Sequence, residues 1–298
     1  MSATGNGPCE VHAAIVAAAI AAVAVVLAVA VGAYRWQAGT VRLRESFERV
    51  REHPATVRVN LAEVEQLPPP VQRFFRNVLY DGQRLITAVH IRHSGMFNMG
   101  EKNDRWKPFT SEQRVITRPP AFDWNARIAM LPGLPVRVHD AYIAGEGILQ
   151  ASLLGLVTLA DLRDGGALAE GELLRFLAEA AWYPTALLPG QGVRWEAVDE
   201  RSARGTLTDG PVRAAMLFTF DEQGNLASVS AARGRTGSGK VISTPWQGRF
   251  WNYQSCEGMQ VPMDGEVAWM LPEGEKPYWR GSVSGISYEF AAFGQPGQ

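Results

Sequence analysis

The chain has 298 residues, of which 46% are hydrophobic and 20% are charged, and its formal net charge is −1. This composition is that of a folded globular protein and excludes disorder throughout the chain. The near-zero charge gives no electrostatic basis for a nucleic-acid partner. Two cysteines, Cys9 and Cys256, cannot form a disulfide framework, and neither has the Cys or His neighbours of a metal site. We therefore expect no metal and no cofactor.

The N-terminal region contains an uncharged run of 22 residues, 13–34, from Ala13 to Tyr34. A helix of this length spans about 33 Å, enough for a hydrocarbon core of about 30 Å. A cleaved signal peptide would require a positive n-region and a shorter apolar core, whereas residues 1–12 contain no Lys or Arg. The sequence therefore predicts an N-terminal tail at 1–12, a transmembrane helix at 13–34 and a charged stalk or linker at 35–59, which could continue the helix.

The charges that flank this run predict its orientation. Arginines follow it at Arg35, Arg42, Arg44, Arg49 and Arg51, and nothing basic precedes it. The positive-inside rule then places the large domain in the cytoplasm, on a single-pass protein of the bacterial cytoplasmic membrane.

Two short helices are predicted before the first strand. Asn60 followed by Glu63 resembles a capping box, and prolines at 68–70 end that helix. The segment 71–79 then places four apolar residues on one helical face: Val71, Phe74, Phe75 and Val78.

From about residue 89 the hydrophobic period changes from four to two, the period of a strand. Strands are predicted around 89–91, 113–117, 122–128, 136–138, 193–198, 203–208, 212–220, 226–232, 248–253, 265–270 and 281–290. Turn residues separate many of them, at 209–210, 221–224, 257–258 and 264–265. Closely spaced strands without helices between them predict an antiparallel meander of about ten strands. We predict one α+β domain at 60–294: a curved antiparallel sheet (an open half-barrel) with helices packed on one face.

One helix interrupts the predicted meander at 168–182 and ends before Pro184. We expect it to cross the concave face of the sheet and to close an apolar pocket, with Leu173, Phe176, Leu177 and Trp182 facing inward. Glu172 and Glu179 lie two turns apart on this helix. A solvated helix face is the expected role of these two glutamates, and the alternative is a pair of carboxylates in a hydrolase.

Two further motifs are interpreted as structural. Residues 234–240 (GRTGSGK) match the core of a phosphate-binding loop, but Val241 stands where a Ser or Thr belongs and an extended segment follows. A flexible hairpin turn is the better interpretation. His90 and His93 are three residues apart in a strand, where their side chains point to opposite faces and cannot share a metal ion unless the strand bulges.

Nine tryptophans, six of them in the second half of the chain, are expected first in an ordinary sheet core. The alternative is a wide apolar cavity between sheet and helix, and the functional hypothesis builds on it. The candidate ligand-binding residues are Phe176, Trp182, Tyr183, Trp246, Phe250 and Trp269. We predict no catalytic residues.

Several segments together, at 67–75, 132–142, 178–189, 244–253 and 265–269, resemble an uncharacterised bacterial family of membrane-tethered domains of unknown function. The match covers about 60–290 and implies no catalytic residues. The order of helix and meander, with Phe250, Tyr253, Gly258 and Pro262, is more distantly similar to the lipoprotein-carrier (LolA/LolB-like) fold. That resemblance implies an unclosed half-barrel that holds acyl chains, and a periplasmic location that conflicts with the positive-inside rule.

Three functions follow as hypotheses. The leading one is a non-catalytic, membrane-anchored binder of a lipid or another apolar small molecule, with the lipid bilayer as a partner. The second is a hydrolase that uses Glu172 and Glu179. The third is a sensory or scaffold domain that binds another protein.

Overall fold

A computed structural model describes residues 8–52, 58–101, 103–237 and 240–292. The helices are α1 (Pro8–Val50), α2 (Pro69–Val78) and α3 (Ala167–Glu179), and short 3₁₀ segments lie at Leu61–Gln66, Ala180–Trp182, Pro184–Leu187 and Pro189–Gln191. The strands of the described part of the chain are β1 (Ile86–Asn98), β2 (Trp106–Ile116), β3 (Ala121–Leu131), β4 (Leu134–Ile143), β5 (Glu146–Leu153), β6 (Val157–Asp164), β7 (Arg194–Ala197), β8 (Ser202–Asp209), β9 (Val212–Phe220), β10 (Leu226–Gly237), β11 (Lys240–Cys256), β12 (Met259–Leu271) and β13 (Gly274–Phe290).

The strands form one antiparallel sheet in the order β6-β5-β4-β3-β2-β1-β13-β12-β11-β10-β9-β8-β7. Because β1 pairs with β13, the first and last strands are neighbours in the middle of the sheet, and β6 and β7 are its edges. The chain must therefore cross from one edge to the other between β6 and β7. The crossing is made by α3 and the 3₁₀ segments that follow it.

The position of α3 shows that the sheet is strongly curved. This helix contacts β4, β5 and β6 near one edge and β9 and β10 near the other. Both ends of the sheet can reach one helix only if the sheet curls around it, as an open half-barrel does. We call the sheet face toward α3 the inner face and the opposite one the outer face. The predicted α+β class, with a curved antiparallel sheet and helices, is confirmed.

The main core lies on the inner face, where α2 joins α3. The predicted apolar face of α2 is buried, and Phe74 and Phe75 pack against Phe220 and Trp195 with ring centroids 5.3 and 6.4 Å apart. Gln113, on the same face of β2, is fully buried. The short helix before α2 begins as predicted, because the Asn60 side chain accepts a hydrogen bond from the backbone N–H of Ala62.

The C-terminal half of α1 packs against the outer face, a contact that the sequence did not predict. Phe47 is fully buried there in a cluster with Ala88, Ile116 and Ala121 of the sheet. Arg44 donates a hydrogen bond to the buried carboxylate of Asp123 on β3 at 3.1 Å. The segment predicted as a stalk or linker thus continues the helix to Val50 and is attached along the sheet.

The N-terminal part of α1 is solvent-exposed and strongly apolar. His12–Val50 is long and apolar enough to cross a membrane, with a mean hydropathy of 3.0 over 18 residues, none of which is buried within the protein. Length and composition alone support this, and a signal sequence would pass the same test.

Two strand predictions were incomplete. The sequence did not predict β5 because apolar residues lie on both of its faces: Ile148 packs in the cluster around Phe47, whereas its neighbour Leu149 faces the inside of the half-barrel. It did not predict β6 because the pairing shifts register there and Leu159 and Leu162 are three residues apart, so no period of two appears. The predicted turn at 264–265 is wrong, because β12 runs through it. Asp264 there accepts hydrogen bonds from the side chains of Asn252 and Ser282.

Candidate ligand cavity

A cavity of about 610 Å³ lies between the inner face and α3. Small-molecule sites in proteins commonly have about 300–1,000 Å³, so this one can hold a sizeable ligand. Its walls come from both halves of the sheet and are mostly apolar. The apolar lining includes Phe97, Trp124, Ile128, Val136, Val138, Leu149, Leu159, Leu162, Leu168, Trp182, Trp246, Phe250, Val267, Trp269 and Trp279.

Four of the six candidate ligand-binding residues line this cavity: Trp182, Trp246, Phe250 and Trp269. Trp182 meets Phe250 edge to face, with ring centroids 6.0 Å apart, and its indole N–H donates to the backbone oxygen of Pro262 at 2.9 Å. The indole N–H of Trp246 donates to Tyr278 Oη, also at 2.9 Å. Satisfied N–H groups leave the ring faces of these tryptophans as apolar surface toward the cavity.

The other two candidates lie in the solid core. Phe176 and Tyr183 are buried with ring centroids 5.5 Å apart, and Tyr183 Oη donates to the backbone oxygen of Phe176 at 2.7 Å. Neither residue lines the cavity. The fully buried Leu173 and Leu177 also pack in the core, away from the cavity walls.

The face of α3 toward the cavity is charged in its centre. Residues 168, 172, 175, 179 and 182 follow each other at intervals of four and three, which places them on one helical face. Leu168 and Trp182 form its apolar ends, with Glu172, Arg175 and Glu179 between them. The expected solvated role of the two glutamates is wrong: the Glu172 side chain is 3% exposed and that of Glu179 is 14% exposed.

Two carboxylates and two aromatic rings contact the guanidinium group of Arg175. Arg175 donates to Asp140 of β4 at 2.6 Å and to Glu179 at 2.7 Å, and its guanidinium lies 5.1 and 4.9 Å from the ring centroids of Phe122 and Trp124. Burial lowers the pKa of Arg175, but the three carboxylates Glu179, Asp140 and Glu172 outweigh it and raise that pKa. Arg175 is therefore a permanent cation.

Glu172 takes part in a second buried contact, with Arg233 of β10. Arg233 Nη2 donates to Glu172 Oε1 at 2.7 Å, and the guanidinium lies 5.8 Å from the centre of the Trp246 ring. Burial and then the neighbouring Asp140 raise the pKa of Glu172 from 4.5 to about 8, although Arg233 and Arg175 act in the opposite direction. Because Glu172 retains its proton near neutral pH, it adds no charge. The negative charges of Asp140 and Glu179 then balance the positive charges of Arg175 and Arg233, and the net charge of the group approaches zero.

Unused hydrogen-bonding atoms face the same space. Among the described residues, Trp124 Nε1 and Glu172 Oε2 are buried atoms without a hydrogen-bond partner, and both residues line the cavity. Unsatisfied buried polar atoms are costly, and a bound ligand or water can satisfy them. The polar patch Asp140, Glu172, Arg175, Glu179 and Arg233, with Trp124 beside it, can therefore receive one polar group within an otherwise apolar cavity.

The cavity opens on the side of the edge strand β6. Of its lining residues, Leu159 and Leu162 are more than half exposed, at 56% and 52%. Residues that both line a cavity and contact solvent mark its mouth. Gly234 and Arg235 on β10 also contribute to the lining.

Other sequence motifs have structural roles. His90 and His93 lie on opposite faces of β1 as predicted: His93 packs against Trp182, with ring centroids 4.9 Å apart, and burial followed by Arg175 lowers its pKa to about 3. Segment 234–240 joins β10 to β11, with Gly237 paired to Lys240, while 238–239 lie outside the described residues. Within the described ranges, no three His, Cys, Asp or Glu side chains converge as a metal site would require.

Comparison with known proteins places the chain in a family. The model of a family of unknown function (DUF6920) matches residues 65–288, so the chain belongs to that family. This confirms the family resemblance inferred from the sequence. No curated protein matches the chain.

The chain is also similar to a solved structure of a LolA superfamily protein from Nitrosomonas europaea. The two share 10% sequence identity with a TM-score of 0.30, over 74% of this chain and 92% of the other. The resemblance drawn from the sequence concerns the same superfamily.

Proposed function

We propose that the protein is a membrane-anchored, non-catalytic binder of a lipid or another apolar small molecule. The observation that carries the proposal is the cavity of about 610 Å³, with mostly apolar walls and a mouth on the edge of the sheet. A solid core would leave no such space, since protein interiors are packed about as densely as organic crystals. The aromatic residues Trp182, Trp246, Phe250 and Trp269 would contact the apolar part of the ligand.

The polar patch narrows the class of ligand. The carboxylates of Asp140 and Glu179 balance the charges of Arg175 and Arg233, because the raised pKa of Glu172 keeps that acid neutral. A strongly charged head group would meet no free opposite charge there. An amphiphile with a small uncharged polar group, such as a hydroxyl or an amide, fits this patch better, because Trp124 Nε1 is available as a donor.

The anchor in this proposal is the apolar part of α1, residues 13–34, and the proposed side of the large domain is the cytoplasm. The supporting observation is that Arg35 and Arg42 follow the run, whereas residues 1–12 carry no basic residue. A reporter enzyme fused after Gln298 should then be active only in the cytoplasm. Periplasmic activity would reverse the orientation, and release of the full chain from membranes by carbonate would exclude the anchor.

The binding function is tested by filling the cavity. Ala151→Phe on β5 adds a ring to the cavity lining, and Ala197→Phe adds the same ring at an exposed position on β7 as a matched control. Full-length proteins are purified in mild detergent, extracted with organic solvent and analysed by mass spectrometry. We expect one class of amphiphile in the native and Ala197→Phe proteins and about tenfold less in Ala151→Phe. Equal, trace amounts in all three would contradict binding.

The hydrolase hypothesis has one supporting observation, the acid Glu172 with a raised pKa at the cavity wall. However, Glu172 accepts a hydrogen bond from the buried Arg233, and Glu179 forms an ion pair with the buried Arg175. General acids and bases work through proton exchange with the substrate, which these contacts oppose. Release of a cleaved product from the extracted amphiphile by native protein, absent in Glu172→Gln, would favour the hydrolase.

A further inference from the structure

We propose that the edge strand β6 and the tips of the hairpins β3–β4 and β5–β6 dock on the surface of the bilayer that holds α1. The mouth of the cavity would then open directly toward the membrane. This inference rests on the proposed function, because it requires α1 to span the membrane.

The first observation is that α1 leaves the sheet at the tip of the β5–β6 hairpin. A Cβ at Gly32 would lie 2.6 Å from the backbone oxygen of Leu154, so the hairpin touches the helix close to the end of the uncharged run. At the other end of the contact between α1 and the sheet, Arg51 donates hydrogen bonds to the side chains of Thr87 and Glu289, near the start of β1. The uncharged run therefore projects beyond the sheet on the side of the β5–β6 tip.

The second observation is that the tips on this side are apolar and exposed. Val136 of β4 pairs with Leu153 of β5, so the β3–β4 and β5–β6 turns lie at the same end of the sheet. Leu131 and Leu134 at the first tip and Leu156 and Val157 at the second are all exposed. Four large apolar residues on neighbouring tips form a patch of the kind that marks an interaction surface.

The third observation is that the exposed apolar patch at the hairpin tips continues along β6 to the mouth of the cavity. Along β6, the exposed apolar residues continue from Leu156 and Val157 to Leu159 and Leu162, which form the mouth. An exposed apolar edge strand is normally avoided, because it can pair with other chains. Contact with lipid would cover this edge and give an acyl chain an apolar route from the bilayer into the cavity.

Charge on the outer face favours a bilayer as the occupant. Arg127 and Arg137 lie directly opposite each other on β3 and β4, a few residues from the β3–β4 tip. Like charges in this position repel, and burial followed by Arg127 lowers the pKa of Arg137. With Arg35 at the end of the uncharged run, they form a basic zone at the level where lipid phosphates would lie.

The test measures lipid contact at single positions. Full-length protein with Cys9→Ser and Cys256→Ser is reconstituted in nanodiscs of phosphatidylcholine and phosphatidylglycerol. The environment-sensitive dye nitrobenzoxadiazole is attached to Val157→Cys at the hairpin tip, to Val23→Cys in the apolar run, or to Val198→Cys. Val198 is similarly exposed but lies in the β7–β8 turn, at the opposite end of the sheet by the antiparallel register.

We expect lipids that are spin-labelled near the head group to reduce the emission at 157 about twofold and to leave that at 198 unchanged. Quenching at 23 is measured with lipids that are spin-labelled deep in the acyl chain, because this residue lies near the middle of the bilayer. Quenching at 23 but not at 157 would overturn the docking and leave the anchor intact. No quenching at 23 would remove the anchor itself, and with it the proposed function. A blue-shifted but unquenched dye at 157 would show that a second protein copy covers the edge, which also overturns the inference.

Discussion

Arg233 Nη2 lies 2.7 Å from Glu172 Oε1, and this buried hydrogen bond joins β10 to α3 at the wall of the cavity. Three strands separate the two residues in sequence, so the pair fixes where the second half of the sheet meets the helix. The side chains are 12% and 3% exposed, so removing Arg233 leaves the carboxyl group of Glu172 buried without this hydrogen-bond donor.

We expect Arg233→Met to lower the free energy of unfolding by about 1–3 kcal/mol at neutral pH, because the protonated Glu172 loses its hydrogen bond from a charged donor. The control is Arg201→Met, which removes an ion pair of the same length with Glu222, but one whose side chains are 64% and 72% exposed. That change should cost less than about 1 kcal/mol. Urea unfolding of the full-length protein in detergent measures both. Equal costs would show that the pair at the cavity is not insulated from solvent.

The raised pKa of Glu172 predicts a pH dependence of stability. Below pH 4.5 the carboxyl is protonated in both the folded and the unfolded chain, so it contributes no slope. Between 4.5 and about 8 the unfolded chain loses the proton while the folded chain retains it. The native protein should therefore lose stability as pH rises through this window, by at most about 1.4 kcal/mol per pH unit.

Glu172→Gln should remove this contribution. The difference in unfolding free energy between native protein and variant, measured from pH 4.5 to 8, should change in favour of the variant as the pH increases. Above pH 8 the difference should be constant. A difference that moves in favour of the native protein would mean that Arg233 lowers the pKa of Glu172 more than burial raises it.

Substitutions of Trp182 and Phe176 distinguish the effect of losing a cavity residue from the effect of losing a core residue. Both side chains are almost fully buried, but Trp182 lines the cavity and Phe176 does not. Each change to Ala should cost about 3–5 kcal/mol, with Trp182→Ala near the lower end because one side of its ring already faces empty space. Binding of a dansyl-labelled fatty alcohol should weaken about tenfold in Trp182→Ala and remain within about twofold in Phe176→Ala, when measured well below both unfolding midpoints. The reverse order would place the ligand elsewhere.

The parts of the fold that depend on local pattern could be predicted from the sequence. The helix at 168–182 was anticipated from its amphipathic period and from the prolines after it, and most of the hairpins from Gly-containing turns such as 209–210 and 257–258. Strands β5 and β6 could not be found in this way. In β5 the alternation of polar and apolar residues disappears because both faces are covered, as they are at Ile148 and Leu149. In β6, which is almost entirely exposed, Leu159 and Leu162 are three residues apart and do not follow the period of a strand.

The candidate site was only partly predictable for a related reason. The aromatic residues were found because tryptophan is rare and bulky, but composition does not separate cavity residues such as Trp246 from core residues such as Tyr183. Arg175 was missed although it shares a helical face with Glu172 and Glu179, a spacing that the sequence already contains. Asp140 and Arg233 reach this group only through the curl of the sheet, which brings β4 and β10 to one helix.

The attachment of α1 to the outer face leads to the last prediction. Asp123 is fully buried and accepts hydrogen bonds from Arg44 on α1, at 3.1 Å, and from His139 Nδ1 on β4, at 2.6 Å. Trp36 stacks on the same His139 ring, with centroids 4.5 Å apart, and Thr40 Oγ1 lies 2.9 Å from its Nε2. One carboxylate thus organises the contact between helix and sheet.

We expect Asp123→Asn to weaken this contact by about 1–3 kcal/mol, because Arg44 loses its charged partner and His139 loses its carboxylate acceptor. Amide hydrogen exchange should then accelerate in residues 36–50, while residues 13–34 in the detergent micelle remain as protected as before. Glu48→Gln is the control. It removes ion pairs from the same helix, but the Glu48 side chain is 46% exposed, and the loss should stay below about 1 kcal/mol. If both variants exchange like the native protein, Phe47 and its apolar neighbours hold the helix without help from the buried carboxylate.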